Sequence, residues 1–326
     1  MKLAKHLFLI ALVFSLCGCQ RTEEPEKSKE PDEPEEHWEA KTPDYLTTLP
    51  IPSDLEKDCK EKGTVERFEY ETKIYDINGN GTTKVNKKAE VYLPYGYDVD
   101  DAYNVLYLLH GANVKEGYWL TDEKQTVKVL DNIFYEGIAD PCIIVCPTYY
   151  TDPNNTGNEI TDIFKYEFRN DLVPAIESHY ATYCYGDTSE ENLIETRIHR
   201  GFAGLSMGSM TTLRAGLIGN LDIVAFISNM SGGYGQDDND GTQGFAKVKE
   251  AVQETFADYP LLYWLNQNGT DDLALTPHQA LNNLILSDLD DYFVEDENYK
   301  WILFEGGQHN FDAWIVHLYN TLQIFF

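Results

Sequence analysis

The feature that most constrains the fold is a succession of short apolar runs, bounded by turn residues and alternating with helical patterns. The runs are N-V-L-Y-L-L-H-G (104–111), D-P-C-I-I-V-C-P-T (140–148), R-G-F-A-G-L-S (200–206), I-V-A-F-I-S-N-M-S (223–231), Y-P-L-L-Y-W-L (259–265) and Y-K-W-I-L-F-E-G (299–306). Helical periodicity falls between them at 127–137, 163–179, 207–218, 244–255 and 277–286. A strand with no polar face must be covered on both sides, and strands alternating with helices build a parallel sheet between two helical layers. Upstream, V-E-R-F-E-Y-E-T-K-I-Y-D-I and T-T-K-V-N-K-K-A-E-V-Y-L-P alternate on either side of N-G-N-G. That pattern predicts an antiparallel hairpin. The expected class is therefore α/β: a mostly parallel central sheet, helices on both faces, and an N-terminal antiparallel hairpin.

The hairpin turn, D-I-N-G-N-G from Asp76 to Gly81, also opens like a calcium-binding loop. Such a loop needs a bidentate Glu at its twelfth position. Lys87 stands there and the flanks read as strands, so the hairpin is preferred.

The ends of the chain differ in kind. Residues 1–19 pair Lys2 and Lys5 with an apolar core and close on Leu16-Cys17-Gly18-Cys19. The apolar core is too short for the ~20 residues a bilayer crossing takes, so it reads as an export signal. Its close resembles a bacterial lipobox, which implies cleavage before Cys19, lipidation of its thiol and attachment to a membrane. Residues 20–45 are rich in Glu and Pro and cannot bury enough apolar surface to offset ordering, so they read as an acidic tether. Residues 46–326, about 280 in all, would form one folded domain. A net charge of −30 argues against nucleic acid, whose phosphates require Lys and Arg. Cys142 and Cys146 share one face of an apolar strand, too far apart to bond each other, and are expected as buried thiols. The pairing of Cys59 and Cys184 is left open.

In a parallel sheet, sites gather at the carboxyl ends of strands. Three ends carry chemistry-bearing residues. One is Ser206 in G-L-S-M-G, where a G-x-S-x-G turn can push the hydroxyl clear of the sheet, although two glycines there could also serve packing alone. Another is N-Q-N-G-T-D-D, with Asp271 and Asp272. The last is G-G-Q-H-N-F-D-A-W, with His309. The order serine, acid, histidine is that of the α/β-hydrolase triad. A serine hydroxyl needs a base to take its proton, and an imidazole base needs a carboxylate to fix its tautomer. Asp272 is chosen as that carboxylate, though spacing alone does not separate it from Asp271. Oxyanion donors are expected from the N–H of Met207, directly after the serine, and the N–H of Ala112, just past His110-Gly111. His110 is expected to orient that loop.

The chain resembles feruloyl esterases of the esterase D type, carbohydrate esterase family 1. The stretches V-Y-L-P-Y-G-Y, V-L-Y-L-L-H-G, R-N-D-L-V-P-A-I-E-S-H-Y, G-L-S-M-G, G-T-D-D and G-G-Q-H-N-F-D-A-W carry the likeness, across about residues 64–326. The resemblance implies an α/β-hydrolase without metal or organic cofactor. It also implies hydrolysis of hydroxycinnamoyl esters on plant xylan, with the acid at the last position of G-T-x-D, Asp272. Two departures stand out: Ala112-Asn113-Val114-Lys115 replaces a Gly-rich turn, and Ser209 replaces a common second glycine. Trp119 and Trp314 are candidates to line an aromatic acyl pocket, and the loop 234–244 is a candidate lid with a solvated acidic tip. Rival readings on the same fold are an acetyl xylan esterase and an acyltransferase. A binding lipoprotein with a dead hydrolase fold is disfavoured by the intact Ser206, Asp272 and His309.

Overall fold

The computed structural model describes residues 50–152 and 157–326; the leader and tether read at 1–19 and 20–45 lie outside them. Eight strands form one sheet in the order β1-β2-β4-β3-β5-β6-β7-β8. They are β1 (Thr64–Tyr75), β2 (Gly81–Leu93), β3 (Val105–Leu109), β4 (Ile143–Cys146), β5 (Arg200–Leu205), β6 (Phe226–Met230), β7 (Tyr263–Gly269) and β8 (Tyr299–Phe304). β1 and β2 pair antiparallel along most of their length, and β2 meets β4 antiparallel through Glu90–Tyr92. Every pairing from β4 onward is parallel. This is the α/β-hydrolase architecture the sequence led us to expect. The Asn-Gly turn closes the hairpin, and Asp76 Oδ1 accepts the N–H groups of Asn78 and Asn80, both at 2.9 Å.

Alternation along each strand sorts its side chains into two cores. On β3, Val105, Tyr107 and Leu109 enter one core, while Leu106 and Leu108 enter the other. Helices α1 (Thr126–Tyr135) and α9 (Phe311–Phe325) cover the Leu106 side through residues such as Leu130, Val316 and Leu322. Four further helical stretches cover the opposite side. One runs from α2 (Ile160–Glu167) through a π-helical turn (Phe168–Leu172) into α3 (Val173–Glu177). Beyond the short α4 (Glu190–Glu195), another runs from α5 (Met207–Thr211) through the turn Thr212–Leu217 into α6 (Ile218–Asn220). The remaining two are α7 (Thr242–Glu250) and α8 (Leu275–Asp288). Helix α9 carries no amphipathic stripe to read, because it is buried nearly all round, from Ala313 to Phe325. Among the described residues no helix is long and apolar enough to cross a membrane.

Strand β7 departs from the pattern. The apolar run 259–265 suggested a strand ending at Leu265, with Asn266-Gln267-Asn268-Gly269 in a loop. Instead the strand continues through all four, fully buried. Burial of amides is tolerated where their hydrogen bonds are made. Gln267 Nε2 donates to the His317 carbonyl at 2.9 Å, Asn320 Nδ2 donates to Gln267 Oε1 at 3.1 Å, and the His278 ring sits between Asn266 Oδ1 and Asn268 Oδ1. All four cysteines among the described residues, Cys59, Cys142, Cys146 and Cys184, are buried free thiols. Burial pushes the Cys142 and Cys146 thiols well above their ordinary range.

Candidate active site

Ser206 occupies the turn between β5 and α5 with φ +54° and ψ −118°, a conformation costly for any side chain but glycine. The neighbouring glycines exist for contact. A Cβ on Gly208 would lie 2.3 Å from the His110 carbonyl oxygen, and one on Gly204 would lie 2.6 Å from the Gly208 backbone. Strand, elbow and helix therefore meet backbone to backbone. Ser209, which replaces the second glycine, turns its hydroxyl inward and donates to the Gly232 carbonyl at 2.5 Å.

The acid and the histidine arrive on two loops that also touch through backbone. A Cβ on Gly269 would stand 2.0 Å from the Gly307 carbonyl oxygen, and the same oxygen accepts the Asp271 N–H at 3.0 Å. Asp271 thus contributes its main chain to this junction, while Asp272 turns inward. His309 Nδ1 lies 2.8 Å from Asp272 Oδ1, and His309 Nε2 lies 2.9 Å from Ser206 Oγ. Asp272 Oδ1 also accepts the Ala274 N–H at 2.7 Å. Burial alone would raise this carboxyl. The His309 ring, the Ala274 N–H and the neighbouring Ser231 hydroxyl outweigh it, so Asp272 titrates below the ordinary carboxylate range. It is ionised at neutral pH and can hold the Nδ1 proton, leaving Nε2 free to accept from the serine.

Ser206 and His309 open onto a cavity of about 130 Å³. Ala112 and Met207 line it beside the serine; Met210, Ala274 and Pro277 make it largely apolar, and Asn158 and Gln236 add polar groups. The loop 234–244 supplies Gly235 and Gln236 to this wall. Two of its three carboxylates bond their own chain: Asp238 accepts the N–H groups of Gln243 and Gly244, and Asp240 accepts the N–H and the hydroxyl of Thr242. No cluster of three His, Cys, Asp or Glu side chains suited to a metal occurs among the described residues.

Neither tryptophan lines this cavity. Trp119 is fully buried on the α1/α9 side, where its indole N–H donates to the Leu109 carbonyl at 3.0 Å. Trp314 stands edge-on to the His309 ring, 5.1 Å between centroids, and donates to Ser231 Oγ at 2.9 Å. It packs behind the histidine. Sequence reasoning overlooked Ser231, which has φ +55° and lines the cavity. The signal was available, since Ser231 ends the run I-V-A-F-I-S-N-M-S at another carboxyl end.

Comparison with known proteins bears on the family and the fold. The "Esterase" family model matches residues 81–324. Endo-1,4-beta-xylanase Y of Acetivibrio thermocellus is 30% identical over 283 residues, 85% of this chain. The chain spans only 24% of that relative's length. Among solved structures, an alanine variant of the feruloyl esterase module from Clostridium thermocellum, complexed with sinapinate, superposes with a TM-score of 0.74. It is 26% identical, over 86% of this chain and 94% of the module. A ferulic acid esterase from the anaerobic fungus Anaeromyces mucronatus shares the fold at a TM-score of 0.64 and 21% identity, over 86% and 98% of the two chains. With the fold, the family match and the serine at its elbow together, this chain belongs to the esterase family and is a serine esterase.

Proposed function

We propose that the protein hydrolyses hydroxycinnamoyl esters of plant xylan through an acyl-enzyme on Ser206. The observation that carries the reading is the unbroken relay of 2.9 Å and 2.8 Å contacts from Ser206 through His309 to Asp272. In this reading Ser206 Oγ attacks the ester carbonyl as His309 Nε2 takes its proton. The tetrahedral oxygen receives hydrogen bonds from the N–H groups of Ala112 and Met207. Collapse breaks the bond to the sugar oxygen, which leaves with the proton held by His309. A water then gives its proton to the same ring and attacks the acyl carbon, freeing the acid and restoring Ser206. Asp272 stays ionised throughout and stabilises the imidazolium.

An aromatic acyl group is favoured over acetyl by the apolar wall beside the serine, made by Met207, Met210, Ala274 and Pro277. The feruloyl esterase module at 26% identity supports the same choice. Turnover of methyl ferulate, methyl p-coumarate and methyl sinapate is expected to exceed that of p-nitrophenyl acetate and acetylated xylan in kcat/KM. Equal or better use of the acetyl esters would transfer the protein to the acetyl xylan esterases. Appearance of acylated oligosaccharide, when a sugar acceptor is added, would make it an acyltransferase. The leader at 1–19 and the tether at 20–45 extend the proposal to an exported enzyme held to a membrane by lipid on Cys19. Loss of membrane fractionation in Cys19→Ala is the matching test.

A further inference from the structure

The loop that carries Ala112 is held by side chains that the reaction does not consume. They come from P-T-Y-Y (147–150), the segment directly after β4. Tyr149 is 2% exposed, and its hydroxyl donates to the Gly111 carbonyl at 2.8 Å. His110 Nδ1 lies 2.7 Å from the same oxygen. Since a carbonyl oxygen only accepts, Nδ1 carries the proton there, and Nε2 must accept. The Thr148 hydroxyl stands 2.8 Å from Nε2 and can donate to it, while Thr148 Oγ1 accepts the Tyr150 N–H at 3.2 Å. One neutral tautomer satisfies every contact. Burial keeps the ring in that form, with its pKa pushed down to about 4.

The hold continues on both sides. Tyr150 Oη accepts the Asn113 N–H at 3.2 Å, fixing the far side of Ala112, and Asn113 itself takes φ +62°. Below, the buried Lys87 ammonium donates to the Thr148 carbonyl at 2.6 Å and pairs with Glu167 at 2.6 Å. Side-chain exposures of 6% and 2% leave that pair dry, so the Thr148 end of the brace is anchored in the protein interior. Among the described residues nothing accepts from the Ala112 N–H.

In a trans peptide the carbonyl of one residue and the N–H of the next point in opposite directions. Two donors on the Gly111 oxygen therefore fix where the Ala112 N–H points, and Ala112 lines the cavity beside Ser206. We infer that Tyr149, together with His110 and Tyr150, is a positioning device that clamps the Gly111–Ala112 peptide so that Ala112 N–H meets the developing oxyanion. This inference rests on the serine-esterase mechanism proposed above and adds residues to it. The clamp supplies pre-organisation, which matters in the transition state and little in the ground state.

Tyr149→Phe removes one donor and keeps the ring, which packs 4.7 Å from both His110 and Tyr150. On methyl ferulate its kcat should fall about tenfold with KM unchanged, a fraction of the roughly 100- to 1,000-fold that loss of an oxyanion donor costs. Inhibition by an arylboronic acid, whose adduct on the serine places an oxygen in the hole, should weaken by the same factor. Binding of free ferulate should not change. In a second pair, His110→Asn can set its amide nitrogen where Nδ1 stood and should keep most of kcat, while His110→Leu should lose it. The clamp is overturned if folded Tyr149→Phe keeps full kcat, if its boronate inhibition is unaltered, or if His110→Asn and His110→Leu are equally impaired. Ser206→Ala separates the two layers. Activity surviving there defeats the serine mechanism itself, whereas an inactive Ser206→Ala beside a fully active Tyr149→Phe defeats only the clamp.

Discussion

The two ends of the sheet are built on opposite principles. At the carboxyl ends, non-glycine residues sit at positive φ (Asn113, Ser206 and Ser231), and backbones touch at Gly208 and Gly269. Ser206, His309 and Asp272 are linked there by contacts of 2.9 and 2.8 Å. At the amino ends the chain is tied by fixed charge. Arg200, the first residue of β5, meets Glu177 at the end of α3 through contacts of 2.5 and 2.6 Å. The same guanidinium donates to the carbonyls of Ile223 and Leu193, and Glu177 also accepts from the Tyr107 hydroxyl. Arg197 adds bonds to the carbonyls of Leu221, Val224 and Pro260, just before β6 and β7. Three of the six positive-φ non-glycine residues among the described residues thus gather at the carboxyl end, beside the Ser206–His309–Asp272 contacts, while the Arg200–Glu177 pair ties the amino end.

The largest effects should come from the carboxyl end and leave the fold alone. Ser206→Ala removes one hydroxyl that no core contact needs; kcat should drop on the order of 10⁶-fold while the thermal midpoint stays within a few degrees. Asp272→Asn keeps the shape but withdraws the charge that holds Nδ1–H, and kcat should fall about 10⁴-fold. Steady-state kinetics on methyl ferulate with parallel melting curves measures both. A collapse of stability in either variant would mean that the carboxyl end is also structural support, and the contrast would fail.

These residues were legible because their reasons are local. Steric demand writes glycines around Ser206, and chain order with strand-end position picks out His309 and the acid loop. The two-sided apolar runs gave the sheet for the same reason. Legibility ended where partners come from distant elements. Asn266, Gln267 and Asn268 look like loop until His278, His317 and Asn320 are found against them in the interior. Trp119 resembles a pocket residue until its indole is found against the Leu109 carbonyl in the core. Tyr149 and Ser231 act through a backbone oxygen and a neighbouring ring, which no spacing records.

A third substitution probes the amino end. Glu177→Gln leaves the Arg200 guanidinium, 1% exposed, without its counter-ion. Stripping one partner from a buried ion pair costs about 3–5 kcal/mol. Denaturant unfolding should show that loss, and kcat per folded molecule should equal the parent's. A fall in kcat without a fall in stability would show the two ends to be coupled and not merely different.

The smallest expected effect concerns acid, and it assigns acid sensitivity to one end. Beneath Asp272 lie His278 and His317, fully buried, and burial pushes both imidazoles down to about 3. His317 sits beside the Phe304 ring, 4.9 Å between centroids, and neither of its nitrogens has a partner among the described residues. In the unfolded chain the same ring titrates near 6.5. As pH falls below 6.5 the unfolded chain gains a proton that the folded ring refuses. Stability is therefore complete above 6.5 and declines as pH drops toward 3. Each pH unit inside that window costs about 1.4 kcal/mol per such histidine. His317→Phe keeps an aromatic ring against Phe304 and deletes the titration. Between pH 6.5 and 4.5 it should lose about 2–3 kcal/mol less than the parent, with no change in kcat at pH 7. Chemical denaturation at those two pH values reads the difference. An identical acid slope in parent and variant would place the sensitivity elsewhere, the amino-end ion pair being the first alternative to mutate.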